Sequence, residues 1–256
     1  YLVTGAAGFI GSSLAQKLIN EGHKVTTIDN LSTGFMSNVP REVDFLEGDC
    51  SDHKVIAKLS KESFDAIFHI AGQSSGEISF DDPIYDIRTN AESTLLLLKF
   101  ALENSCKRFI YAGTMSVYGS QEKQPVNEKS ICKPESFYGV GKLASEHYMR
   151  IYQKYGIQST SLRLFNVYGS GQNLSNLRQG MVSIFLAQIL KNKHIHIKGS
   201  PERYRDFIHL FVKFSIISLR SSSSSIVVKT ILWISSFSSS LLISDIVSSL
   251  STSSSP

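Results

Sequence analysis

Tyr138 and Lys142 stand four positions apart in Tyr138-Gly139-Val140-Gly141-Lys142, at the start of a helical pattern that runs to about Tyr155. On a helix the two share a face, one turn apart. A free phenol, with a pKa of about 10, is a poor base at neutral pH. A neighbouring ammonium and the positive charge of an oxidised hydride acceptor both favour the phenolate and draw that pKa toward the working range. Thr114 closes the expected strand Lys107-Arg108-Phe109-Ile110-Tyr111-Ala112 and its glycine, and offers a hydroxyl to hold a reacting oxygen. The three residues together suit removal of a proton from a substrate hydroxyl while hydride leaves the same carbon. The structural alternative for the pair is two amphipathic residues on a solvated helix face. Its setting in the chain decides between them.

That setting begins at the first residue. Tyr1-Leu2-Val3-Thr4 is a short apolar run that breaks at Gly5 and resumes with helical spacing at Ile10, Leu14 and Leu18. A buried strand, a tight turn and a helix follow from this pattern. The helix start presents backbone N–H groups and partial positive charge, and glycines let a pyrophosphate reach the main chain. Gly5, Gly8, Phe9, Ile10 and Gly11 are the expected lining, in the spacing Gly-x-x-Gly-x-x-Gly. Val25-Thr26-Thr27-Ile28-Asp29 is a second strand ending in a carboxylate about twenty residues on, where a ribose would present its hydroxyls. A carboxylate there repels a 2′-phosphate, and no arginine follows before Arg41, so NAD is expected rather than NADP. Asp29 as a simple loop cap is the alternative. Asn30-Leu31-Ser32-Thr33-Gly34 is turn chemistry suited to closing over the adenosine half. Asp49, with Cys50 beside it, is placed to accept from an adenine amino group or to sit as a solvated loop aspartate.

Further along, Val43 to Leu46 reads as a strand, and a helix is expected from about Asp52 to Ser60, capped by Ser51 or Asp52. Ala66 to Gly72 is an apolar strand whose small end residues, Ala71 among them, leave room for a ligand. His69 inside that run reads as a hydrogen-bonded core histidine in preference to a catalytic one. Ile84 to Asn104 is one long helical pattern carrying Asn90, apolar on most sides through Leu95, Leu96, Leu97 and Leu98, and so either buried or used at an interface. Alternating strands and helices imply an α/β protein with a Rossmann-type doubly wound parallel sheet.

The 256 residues, 42% hydrophobic and 19% charged with a net charge of +4, describe a soluble globular chain suited to an anionic small molecule. No basic run with interleaved aromatics favours nucleic acid. The cysteines Cys50, Cys106 and Cys132 are scattered and lack partners at metal spacing, so neither a disulfide frame nor a metal site is expected, and a reducing cytoplasmic setting is. No signal peptide is read ahead of the first strand, and the missing initiator Met suggests a trimmed start.

Thr-Gly-Ala-Ala-Gly-Phe-Ile-Gly, Asp29-Asn30-Leu31-Ser32-Thr33-Gly34, Tyr138-x-x-x-Lys142, Arg163-Leu164-Phe165-Asn166-Val167-Tyr168-Gly169 and Arg205-Asp206-Phe207-Ile208-His209 occur in that order. Together they resemble the extended short-chain dehydrogenase/reductase family, in its NAD-dependent nucleotide-sugar epimerase/dehydratase branch, over about residues 1 to 209. The resemblance implies a UDP-sugar substrate, contacts from Asn166 to the sugar nucleotide and from Arg205 to its pyrophosphate, and a homodimer built on a four-helix bundle. It also gives Asn90 a supporting role toward Tyr138 and Lys142 through a bound water. Ser93 departs from the glycine usual at its position. Sugar 4,6-dehydratases of this family place Asp-Glu directly after the strand-end Thr, and related decarboxylases keep a Glu there. Met115 and Ser116 stand here instead, which by the same resemblance points to C4 epimerisation of a UDP-hexose, UDP-glucose/UDP-galactose or the N-acetyl pair, through a transient 4-keto sugar. The alternatives are a 4,6-dehydratase or a catalytically impaired NAD-binding relic.

The expected organisation is an NAD-binding domain over 1–165, the start of a nucleotide-sugar lobe over 166–209, and an anomalous Ser-rich stretch over 210–256. In that stretch serine runs such as 221–225 mix with Ile, Leu and Val, and only Lys213, Arg220, Lys229 and Asp245 carry charge. Its apolar islands are too short and broken to span a bilayer. A frameshifted or degenerate reading explains it better than a designed linker, with a membrane-surface or interaction tail as the functional alternative. The substrate lobe is accordingly expected to be small and truncated, and the sheet to be complete before residue 210.

Overall fold

The computed structural model describes residues 1–59, 64–192, 194–197, 205–210 and 227–230, the last group as backbone. The described residues divide into two compact units, one holding Tyr1–Leu164 and the strand Val227–Thr230, the other starting at Phe165.

The first unit is built on a parallel sheet of β1 (Leu2–Thr4), β2 (Thr26–Asp29), β3 (Asp44–Glu47), β4 (Ile67–His69), β5 (Arg108–Thr114), β6 (Gln158–Leu164) and β9 (Val227–Thr230). Their spatial order is β3-β2-β1-β4-β5-β6-β9. β1 and β4 are buried throughout, as strands covered on both faces must be. β3 lies at an edge and exposes its charged ends, Asp44 and Glu47. The chain winds outward one way through β2 and β3 and the other way from β4 on, so the switch in direction falls between β1 and β4. In open α/β sheets ligands bind outside the carboxyl ends of the strands at that point.

Helices α1 (Phe9–Asn20), α2 (His53–Ile56), α3 (Pro83–Ile87), α4 (Ser93–Glu103) and α5 (Phe137–Gln153) complete this unit. Leu2, Ile28, Ile67, Phe109 and Tyr111 from the strands pack with Leu97, Leu98, Phe100 and Met149 from the helices into one core. α2 is shorter than its expected span, whose last residue, Ser60, lies outside the described residues. Asp52 is its cap, accepting from Lys54 N at 2.8 Å, whereas Ser51 turns its hydroxyl to Asp49. α3 starts with Asp82 as cap and Pro83 in the first turn.

The expected helix 84–104 is interrupted. A π-turn, Arg88–Glu92, joins α3 to α4 and carries Asn90. Its carbonyls are taken up by hydroxyls: Ser93 Oγ donates to Thr89 O (2.6 Å), and Thr94 Oγ1 and Ser145 Oγ donate to Asn90 O (2.6 and 3.0 Å). Such turns concentrate at functional sites. In α4, Leu97 and Leu98 are fully buried in the chain's own core, and Leu95 and Leu96 are half-buried. The leucine run therefore stabilises this fold and leaves little apolar surface for a partner.

The seventh strand corrects the expectation that the sheet ends before residue 210. Val227, Val228 and Thr230 are β-branched, which favours a strand, and the segment pairs in parallel with β6 from Thr160↔Val227 to Arg163↔Thr230. The rest of the expected tail beyond Leu210 lies outside the described residues. In the second unit, β7 (Asn166–Tyr168) pairs in parallel with β8 (Phe207–His209), and α6 (Met181–Asn192) accompanies them. Among the described residues no helix is long and apolar enough to cross a membrane.

Candidate active site

The strand–turn–helix at the start of the chain fits a pyrophosphate. Gly5 has φ +74°, and a Cβ there would come within 2.8 Å of Ala71 N. A Cβ on Gly11 would overlap the Gly5 carbonyl, so α1 can lie against β1 only because that position is glycine. Gly8 caps α1 with no side-chain hydrogen bond, and Phe9 and Ile10 form its first turn. The end of the helix is thus left open to an anion.

Asp29 is buried at the end of β2. Its Oδ2 accepts from Ala7 N (2.9 Å) and its Oδ1 from Leu31 N (2.8 Å), fastening the glycine turn to the adjoining loop. The capping alternative is therefore present as well. Each oxygen still has a lone-pair site for a ribose hydroxyl. Asn30 Nδ2 donates to Asp49 Oδ2 (2.9 Å), and Asp49 Oδ1 accepts from Ser51 N and Oγ, so these two side chains form one rigid corner. The Cys50 side chain lies in the hydrophobic core and burial pushes its thiol up. Only its main chain is left to line a ligand. Ala71 sits beside Gly5 at the end of β4, its N–H donating to Thr4 Oγ1 (3.1 Å).

His69 is a core residue. Ser93 Oγ donates to Thr89 O, so it accepts from His69 Nε2 (3.1 Å). Thr4 Oγ1 already accepts from Ile70 N and Ala71 N and gives its proton to His69 Nδ1 (2.8 Å). This bonding pattern assigns the neutral Nε2–H form, and burial, aided by the charge of Lys142, lowers its pKa to about 3. Ser93, the departure from the family's glycine, is thus a partner of His69.

Thr114, the last residue of β5, Tyr138 and Lys142 come together in this unit. Ser136 Oγ caps α5 by accepting from Gly139 N (3.1 Å), which fixes the first turn that carries Tyr138. Lys142 Nζ donates to Ala112 O (3.0 Å) and lies over the rings of Tyr111 (4.6 Å to the centroid) and Tyr138 (5.8 Å). Thr114 Oγ1 is held by Ser116 N (3.1 Å) and Ser116 Oγ (3.2 Å) and is hydrogen-bonded to Tyr138. The expected lowering of the phenol pKa counts on the cofactor's positive ring as well as the ammonium, and the protein's own groups do not bring it about by themselves. Burial pushes Tyr138 up to about 12, the Thr114 hydrogen bond opposing and the Asp86 charge reinforcing it. Burial also pulls Lys142 down to about 7, against the pull of Asp86. Both groups have left water, which shifts each toward its neutral form.

Asn90 is buried one turn from Asp86, its Nδ2 donating to Gln73 O (3.0 Å) and Asp86 Oδ1 (3.2 Å). Asp86 and Gln73 were not singled out from the sequence. The available signal was a carboxylate four residues before Asn90, hence on the same helical face. In the second unit Asn166 Nδ2 donates to Asp206 O (2.8 Å), and Arg205 is exposed.

The model of the NAD dependent epimerase/dehydratase family matches residues 1–211. The chain belongs to that family. It is 33% identical to the UDP-glucose 4-epimerase of Mycolicibacterium smegmatis over 214 residues, covering 81% of this chain and 68% of that one. The UDP-glucuronic acid decarboxylase 1 of Danio rerio is 34% identical over 212 residues, with 80% and 50% covered. The crystal structure of the UDP-glucose 4-epimerase of Thermotoga maritima with UDP-glucose superposes with a TM-score of 0.80 at 35% identity, covering 85% of this chain and 72% of that one. The fold is the Rossmann-type one expected, the cofactor of the family is NAD, and its members are sugar-nucleotide enzymes. The glycine cradle and the carboxylate at the end of β2 fit that cofactor.

Proposed function

We propose that the chain is an NAD-dependent 4-epimerase of a UDP-hexose, of the UDP-glucose/UDP-galactose type. One observation carries the reading: the turn after Thr114 holds Met115 and Ser116, with no acid to drive loss of water or carbon dioxide, beside a Thr114/Tyr138/Lys142 centre suited to proton transfer. NAD, held by the Gly5–Gly11 turn, Asp29, Asn30, Asp49, the Cys50 main chain, Ala71 and Lys142, would supply a hydride acceptor and donor at C4.

The protein groups do the rest. Thr114 Oγ1 orients the C4 oxygen, and Tyr138 Oη takes its proton and later returns it. Lys142 holds positive charge near that oxygen, and Asn90 supports the pair through a bound water. Asn166 contacts the sugar nucleotide, and Arg205 meets the pyrophosphate, where a guanidinium can bridge two oxygens. The NAD domain is assigned to 1–165 and the start of the substrate lobe to 166–209, in a cytoplasmic homodimer.

Incubation with UDP-galactose is expected to yield UDP-glucose. Formation of a 4-keto-6-deoxy sugar instead would make the chain a dehydratase. The Ser-rich stretch after residue 210 favours a second reading, a relic that binds NAD but not UDP-sugars, and titration calorimetry with each ligand separates the two.

A further inference from the structure

Asp86 has no role in the reading above, yet it is fully buried behind the Tyr138/Lys142 pair. Its Oδ1 accepts from Gln73 Nε2 (2.8 Å) and Asn90 Nδ2 (3.2 Å), while its Oδ2, equally buried, has no hydrogen-bond partner among the described residues. From α5 the residue facing it is Gly141, next to Lys142. A Cβ there would lie 3.3 Å from Asp86 Oδ2. The carboxylate thus packs where α5 has no side chain.

Gln73 ties the same group to the loop that follows β4. Its side chain bonds the main chain of Ser75 at both N and O, its N–H donates to Thr89 Oγ1 (3.3 Å), and its carbonyl accepts from Asn90. A buried carboxylate with a bare oxygen is costly unless a cation is near. Lys142, buried on α5 next to the Gly141 that faces Asp86 Oδ2, is the positive charge placed to act on it. Tyr138 also faces this region from α5, Tyr111 from β5 beneath the ammonium, and His69 from β4 in neutral form. Glu146, one turn on, is committed to Arg163. Arg88 and Glu92 in the π-turn, Asp82 at the helix cap, and Glu77 and Asp81 before it are exposed.

We propose that Asp86 is the buried counter-charge of Lys142, and so a positioning residue for the Tyr138/Lys142 pair, locked through Gln73 to loop 72–76. Burial raises the carboxyl pKa and lowers that of the ammonium, and each charge opposes the shift of the other. Loss of the Asp86 charge therefore lets Lys142 give up its proton at lower pH. The catalytic consequence rests on the proposed epimerase reading, whereas the charge coupling does not.

The test is an NMR titration of 13C-labelled lysine in the chain without cofactor, with the Lys142 signal assigned through Lys142→Met. Asp86→Asn is expected to lower the Lys142 midpoint by about 1 unit or more. Gln73→Met, which keeps the carboxylate but removes one of its donors, should shift it the same way by less. In turnover, the alkaline limb of kcat should move to lower pH in Asp86→Asn, with activity better preserved on the acid side. An unmoved Lys142 titration, with or without a uniform loss of kcat, would overturn the proposal, and Gln73→Met alone decides if Asp86→Asn does not fold. A shifted titration in a chain that turns over no UDP-sugar leaves the proposal standing and removes the epimerase reading.

Discussion

Tyr138 is the residue on which the proposed chemistry turns, and its surroundings explain why it needs help. With its pKa at about 12 in the protein alone, a neutral phenol is the resting form, and ionisation depends on positive charge brought close. Tyr138→Phe keeps the ring that packs beside Lys142 but removes the base. Turnover of UDP-galactose should fall about 10²- to 10⁴-fold with NAD binding retained, measured by steady-state kinetics and cofactor titration. His69 makes a prediction of opposite character. Its folded pKa of about 3 lies below its ordinary 6.5, so folding keeps it neutral while the unfolded chain takes up a proton. The stability associated with neutral His69 is present above about pH 6.5 and lost as pH falls toward 3, with a limiting slope of about 1.4 kcal/mol per pH unit. Urea denaturation across that range should show the slope in the parent and a shallower one in His69→Leu. The glycines, Asp29, Thr114, Tyr138 and Lys142 were legible in the sequence because each sits at a fixed offset from a strand or helix end. Asp86 and Gln73 were not, because their partners come from segments distant in sequence or hidden in a helix register.

At the scale of elements, the continuous apolar strands β1, β4 and β5 were legible for the same reason that they are central: both faces are covered. β6 was not, since Gln158-Ser159-Thr160-Ser161-Leu162-Arg163-Leu164 shows no apolar run. Its Ser159, Ser161 and Arg163 are buried, the last two against Glu146 of α5. Arg163 Nε and Nη2 bond Glu146 Oε1 and Oε2 at 3.0 and 2.7 Å, Ser161 Oγ donates to Oε1, and the guanidinium lies over the Tyr118 ring. Burial works against the Arg163 charge, but hydrogen bonds to Glu146 and Tyr118 hold its pKa above the ordinary value. Breaking the pair from one side strands a buried charge, so Glu146→Leu should destabilise the fold by about 3–5 kcal/mol in chemical denaturation. The double change Glu146→Leu with Arg163→Met should cost less than that single change. A double variant no more stable than Glu146→Leu would show that the pair is not what joins β6 to α5. The π-turn also escaped sequence reading, because the apolar periodicity on either side of it is that of a single helix.

For the whole molecule, the proposed homodimer needs an apolar surface, and the structure moves its motive away from Leu95–Leu98. Ile84 and Ile87 of α3, Phe137 and Val140 of α5, and Phe80 before them are all exposed, with the rings of Phe80 and Phe137 5.4 Å apart. Light scattering at micromolar concentration should give a dimer mass for the parent and a monomer mass for Ile84→Asp with Val140→Asp. A monomeric parent would remove the proposal. The fate of the hydride distinguishes the two chemistries. An epimerase takes it from C4 and returns it to C4 on the other face, while loss of water across C5 and C6 would deliver it to C6. UDP-galactose carrying deuterium at C4 tests this most directly. A 4-epimerase gives UDP-glucose with the label retained at C4 and no net reduction of NAD. Label recovered at C6 in a 4-keto-6-deoxy product, or unchanged substrate from a chain that binds both NAD and UDP-galactose, would contradict the epimerase reading.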